Sequence, residues 1–91
     1  MNSKEKEVMD ILQEECGEVI VAVSKISRFG LDNLKPGKSK TNREHLEEEL
    51  GDLYEMIVIL QELDVVSWTN IEKAAKAKRE KLKQWSNIFT D

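Results

Sequence analysis

The chain has one cysteine, one proline, one histidine, four glycines and only 5% aromatic residues in 91 positions. Each shortage narrows the possibilities. A lone cysteine, Cys16, cannot close an intrachain disulfide, which excludes a cystine scaffold. It reads as a small core residue, because His45 belongs to a different helix and no third group completes a nucleophilic set. So few turn formers predict long elements and few chain reversals. No charged-then-apolar leader and no apolar run of spanning length are present, so a membrane partner is not expected and the reducing cytoplasm is the expected location.

What is present is charge. The composition is 40% hydrophobic and 35% charged with a net charge of −4, the profile of one domain over residues 1–91 with room for a single core. An acidic balance argues against nucleic acid as a partner. Acidic residues gather at 14–18, 44–55 and 62–64, while residues 73–83, KAAKAKREKLK, carry six basic residues and one acidic one. A domain of this size buries only about two-thirds of its unfolded surface, so association into a homodimer or homotetramer is expected.

The periodicity predicts an all-α chain of three helices. Val8, Ile11, Leu12, Val19, Val23 and Ile26 keep a 3.6-residue period over residues 3–28, with Asn2 and Glu5 as the cap and Phe29-Gly30 as the end. Such a helix is roughly 39 Å long, more than a lone three-helix unit covers. Residues 30–41 read as a loop turning at Pro36-Gly37, its lysines Lys35, Lys38 and Lys40 mostly solvated. Thr41-x-x-Glu44 is a capping box opening a second helix with Leu46, Leu50, Leu53, Met56, Ile57, Leu60 and Leu63. Asp64 to Ser67 breaks the pattern, and Thr69-x-x-Glu72 is read as the cap of a third helix through about Trp85. Trp85 is expected to close the core.

The carboxylates need more than a count. Glu14, Glu15 and Glu18 crowd one helix at i, i+3 and i+4, which is mildly unfavourable without a cation. On a wheel at about 100° per residue with Glu15 at zero, the apolar stripe falls at roughly 20° to 80° and Glu18 near 300°. With Glu49 at zero, Leu46, Leu53, Ile57 and Leu60 occupy the same arc and Asp52 lies near 300°. Both helices therefore carry a carboxylate pair on the same edge of the stripe. Packed antiparallel, they bring Glu15, Glu18, Glu49 and Asp52 together, completing a four-helix-type bundle with another copy. Oxygen ligands with no nearby His or Cys favour Mg²⁺ or Mn²⁺ over zinc, and the absence of Glu-x-x-His argues against di-iron. Glu14, Glu47, Glu48 and Glu55 point further from the stripe and read as surface residues, with Glu14 in a supporting role.

Glu14-Glu15-x-x-Glu18 followed by Glu49-x-x-Asp52 resembles the EExxE and ExxD signature of the MazG-like all-α nucleoside triphosphate pyrophosphohydrolases. Ser24-Lys25-x-x-Arg28-Phe29-Gly30 and Asn42 extend the likeness to compact phage and bacterial members, over roughly residues 8–60. The resemblance implies metal ligands at Glu15, Glu18, Glu49 and Asp52, with Glu14, Glu15 and Glu18 in the catalytic motif. It further implies hydrolysis of a nucleoside triphosphate to monophosphate and pyrophosphate, with Mg²⁺ or Mn²⁺ as cofactor. Lys25, Arg28 and Asn42 are expected to contact substrate. The last helix offers Lys76, Lys78, Arg79 and Lys81 for the same task, and Lys78 is taken as the contact. Two alternatives stay open: hydrolysis of phosphoribosyl-ATP, and a noncatalytic helical interaction module with an acidic edge.

Overall fold

The computed structural model describes residues 1–90, which form α1 (Ser3–Phe29), α2 (Asn42–Glu62) and α3 (Trp68–Trp85), with no strand among them. The ends of the two long helices are local chemistry. Asn2 Oδ1 accepts the Glu5 N–H at 2.8 Å and starts α1. Gly30, at φ 91°, ends it while donating its N–H to the Ile26 carbonyl. The Thr41–Glu44 capping box forms in both directions, so two otherwise orphaned donors are satisfied at the start of α2.

The loop between them is tied down at both ends. Lys38 N–H donates to the Lys35 carbonyl across Pro36-Gly37, with Gly37 at φ 79°, the positive value that a type II turn requires of its third residue. The backbone N–H groups of Asn42 and Arg43 donate to the carbonyls of Asn33 and Leu31, and Arg43 grips Asp32 through Nε and Nη2 at 3.1 and 3.2 Å.

At its far end α2 stops without glycine. Asp64 takes the left-handed conformation, φ 59°, while the N–H groups of Val65 and Asp64 bond back to the carbonyls of Leu60 and Gln61. This is a Schellman end with an aspartate in the place usually held by glycine. The chain leaves extended at Ser67, whose hydroxyl accepts the Asn70 N–H, so α3 is capped by Ser67 rather than Thr69. The earlier cap places Trp68 on the helix, its ring 6.3 Å from that of Tyr54.

α1 and α2 pack as an antiparallel hairpin, whereas α3 packs on neither beyond the elbow. Val8, Ala22 and Leu60 are the buried apolar residues, and Ala22 is wholly covered. Its small side chain lets the helices approach closely along its own line, which turns Val23, expected in the stripe, out to 50% exposure. The seam is thus rotated toward the carboxylates. With α3 splayed away nothing covers the opposite flank, and two expectations fail for that reason: Cys16 is exposed, and Trp85 is 78% exposed. The protomer is a slab of 44 × 38 × 14 Å with a radius of gyration of 16.3 Å, against about 12 Å for a compact chain of this length. No helix of the described residues is long and apolar enough to cross a membrane.

Candidate metal centre and adjoining lysine cleft

Because the helices run antiparallel, the middle of α1 faces the first half of α2. One carboxylate oxygen each from Glu15, Glu49 and Asp52 lie within 4.8 Å of one another. Glu49 is 9% exposed, the only charged side chain buried among the described residues, while Glu15 is half-buried and Asp52 exposed. Desolvation, and then the negative charges of Asp52, Glu49, Glu18 and Glu14 in that order, push the Glu15 carboxyl above its ordinary range. The group is therefore electrostatically frustrated as it stands. A divalent cation would remove the frustration, and oxygens that all lie within 4.8 Å of one another are close enough to share one ion at the metal–oxygen distances of hard cations, about 2.0–2.6 Å.

Of the four residues expected as ligands, three converge. Glu18, one turn along α1 from Glu15, is exposed and outside the close group, as is Glu14. Their charges still reach Glu15. By helical periodicity Glu14, Glu18 and Lys25 share one flank of α1, and the antiparallel hairpin sets that flank on the same side of the slab as Asp52.

The structure adds one residue that sequence reasoning set aside. His45 Nε2 lies 3.3 Å from Glu49 Oε1, so the expectation of no histidine near the carboxylates is corrected. The signal was available: His45 precedes Glu49 by four residues, the spacing that stacks two side chains on one helix face.

His45 also forms a wall between the carboxylates and a cleft of about 250 Å³ in which Lys25 of α1 meets Lys35, Lys38, Lys40 and Asn42. The loop lysines are exposed, as a solvated loop requires, and the path of the loop brings Lys35, Lys38 and Lys40 to line this cleft with Lys25 of α1. Asn42, expected to contact substrate, lines this cleft and donates Nδ2–H to the Gly30 carbonyl at 3.0 Å, fixing the loop ends to each other. Arg28 sits 4.9 Å from the centre of the Phe29 ring at the end of α1. Lys78 is exposed on the splayed α3, away from the α1–α2 hairpin in its own protomer.

Fold and site together define a class: an all-α protein whose antiparallel helices gather carboxylates from both partners beside a basic cleft. The sequence matches the MazG nucleotide pyrophosphohydrolase domain over residues 3–87, and the chain belongs to that family. Membership extends beyond the acidic motifs to include α3 and carries nucleotide pyrophosphohydrolase activity as its general class. No curated protein and no solved structure matches the chain.

Proposed function

We propose that the protein hydrolyses the α–β phosphoanhydride of a nucleoside triphosphate, giving the monophosphate and pyrophosphate, with Mg²⁺ or Mn²⁺ held by Glu15, Glu49 and Asp52. The observation that carries this reading is the convergence of those three carboxylates within 4.8 Å from two different helices. A surface that merely bound a basic partner would gain nothing from burying Glu49 in the helix seam, where its charge is costly without a counter-ion.

A divalent ion held by Glu15, Glu49 and Asp52 would supply charge neutralisation of the polyphosphate and a lowered pKa for a coordinated water. The chain supplies the rest. Glu49 and Asp52 anchor one side of the site on α2, and His45 holds the Glu49 carboxylate in orientation. Glu18, free of the close group, either completes the ligand set by a rotamer change or receives the proton of the attacking water, with Glu14 supporting it through its charge. The water oxygen bonds the α-phosphorus as the bond to the α–β bridging oxygen breaks, and that oxygen leaves on pyrophosphate. Lys25, on the same flank, reaches a phosphate oxygen.

The same reading includes a second copy of the chain. Ile20 (69% exposed) and Val23 on α1 and Leu50 and Tyr54 (59%) on α2 form an uncovered apolar flank on the face of the slab opposite the carboxylates. A partner hairpin packed there yields the four-helix arrangement and gives Lys78 of a neighbouring α3 a route to substrate. A monomeric mass by light scattering at micromolar concentration would contradict this association. The cytoplasm, where nucleoside triphosphates are made and consumed, is the proposed location.

Pyrophosphate release from a panel of nucleoside triphosphates and phosphoribosyl-ATP, with Mg²⁺ or Mn²⁺, tests the activity. Release from triphosphates by the wild type and its loss in Glu49→Gln is the expected result. Turnover of phosphoribosyl-ATP alone moves the protein to that substrate. No release, together with no metal binding by calorimetry, leaves a noncatalytic module.

A further inference from the structure

The lysine cleft holds more positive charge than a nearby carboxylate site requires. Lys40 is spoken for, because its Nζ pairs with the Glu48 carboxylate. Among the described residues Lys25, Lys35 and Lys38 form no ion pair, and all three enter the same cleft. Lys35 and Lys38 are exposed and Lys25 half-buried, so a polyanion seated in the cleft would meet three cations that no carboxylate of the described residues already neutralises.

The backbone puts them there. Lys35 and Lys38 are the first and last residues of the Pro36-Gly37 turn, which brings their Cα atoms close and sends the loop back across Lys25. Both ends of the loop are pinned through Asp32–Arg43 and Asn42–Gly30. Lys35 Nζ is held 5.5 Å from the centre of the Phe29 ring, a cation–π contact that limits its wandering.

The start of α2 is not the anion site, although it opens on the cleft. The first N–H groups donate to the carbonyls of Asn33 and Leu31 and to the Thr41 hydroxyl, and Thr41 N–H to the Glu44 carboxylate. Recognition therefore falls to side chains: the three ammonium groups, with the Ser39 hydroxyl also in the wall.

We propose that Lys25, Lys35 and Lys38 form a pocket for the outer two phosphates of a polyphosphate, making the 30–41 loop the element that selects for phosphate number. Its position follows from His45, which contacts Glu49 on one side and lines the pocket on the other. A phosphorus atom at the carboxylates leaves the remaining phosphates of the same chain to extend past His45 into the lysines. A monophosphate has no group to place there and is released, whereas pyrophosphate stays bound until it diffuses out. The assignment to a triphosphate rests on the hydrolase reading; binding of free pyrophosphate does not.

Two measurements on the whole chain separate these. Calorimetry with inorganic pyrophosphate in metal-depleted buffer is expected to show binding that weakens with added salt. The Lys35→Ala/Lys38→Ala variant is expected to lose at least about tenfold in affinity, as removal of charge-assisted hydrogen bonds predicts. A Lys4→Ala/Lys6→Ala control, which removes the same charge at the far end of α1, is expected to bind normally. No pyrophosphate binding, or equal weakening in both variants, overturns the pocket. In turnover, Lys35→Ala/Lys38→Ala is expected to raise KM for triphosphate with kcat retained. If lysine-dependent pyrophosphate binding is found but no nucleotide is hydrolysed, the hydrolase reading falls and the pocket stands. Hydrolysis with an unchanged KM in the variant does the reverse.

Discussion

His45 Nε2 approaches Glu49 Oε1 at 3.3 Å, one helical turn along α2, and the pair joins two sites of opposite charge. A histidine against a carboxylate that is proposed to hold a metal would act through orientation. His45→Ala is therefore expected to weaken Mn²⁺ or Mg²⁺ binding by about 10- to 100-fold, the usual effect of removing such a supporting group. Titration calorimetry reads this directly. Unchanged affinity would show that Glu49 is held by the helix seam alone.

Glu49→Gln separates stability from function. Without metal, the substitution removes one of the charges that push Glu15 upward, so the thermal midpoint is expected to hold or rise. With metal the order reverses: the wild type gains about 2.7 kcal/mol at a free concentration 100 times Kd, and the variant gains little. Thermal scans with and without Mg²⁺ compare the two. A wild type indifferent to metal would contradict the assignment.

Acidification acts on the loop and on the site in opposite directions. The Arg43 guanidinium holds Asp32 below the usual carboxylate range, and the Thr41 N–H, with the Thr41 hydroxyl second, does the same for Glu44. Stability from such groups is present above their unfolded pKa and is lost as pH falls through the folded value. Glu15, shifted upward, instead favours the fold at low pH, an effect lost as pH rises through its folded pKa. The metal-free Asp32→Asn/Glu44→Gln variant is expected to lose less stability than the wild type between about pH 5 and pH 3. Parallel melting curves over that window would refute the loop contribution.

Asp64 is a backbone prediction. A side chain in the left-handed region is strained, and Asp64→Gly is expected to raise stability by about 0.5–1 kcal/mol, with Asp64→Val lowering it. Urea unfolding measures both. A less stable glycine variant would mean that the Asp64 side chain does more than occupy a turn.

The parts that were legible from residue order are those made by neighbours in sequence. Asn2 with Glu5, the Thr41–Glu44 box and the Pro36-Gly37 turn each involve partners three residues apart, and all three form. The cap of α3 was misread because Ser67 and Thr69 compete two residues apart, and the exit geometry after Asp64 chooses between them. The contact between His45 and Glu49 is visible as an i, i+4 spacing within α2 but is passed over when His45 is weighed only as a partner for Cys16 on the other helix.

By itself the sequence determined three helices, the N-terminal caps of the first two, and carboxylates on the matched edges of those two, because hydrogen bonds and helical periodicity act over three to seven residues. Only the tertiary structure decided which carboxylates meet. Ala22, the residue with the least to hold the helices apart, rotates the seam toward Glu15 and Glu49, which buries Glu49, turns Val23 outward and leaves Glu18 on the rim. The loop lysines are likewise a matter of chain path: nothing in their spacing from Lys25 shows that residues 35 and 38 return to it. That return depends on the long-range ties of Asn42 and Arg43 to residues 30–33, contacts that exist only once the two helices have packed.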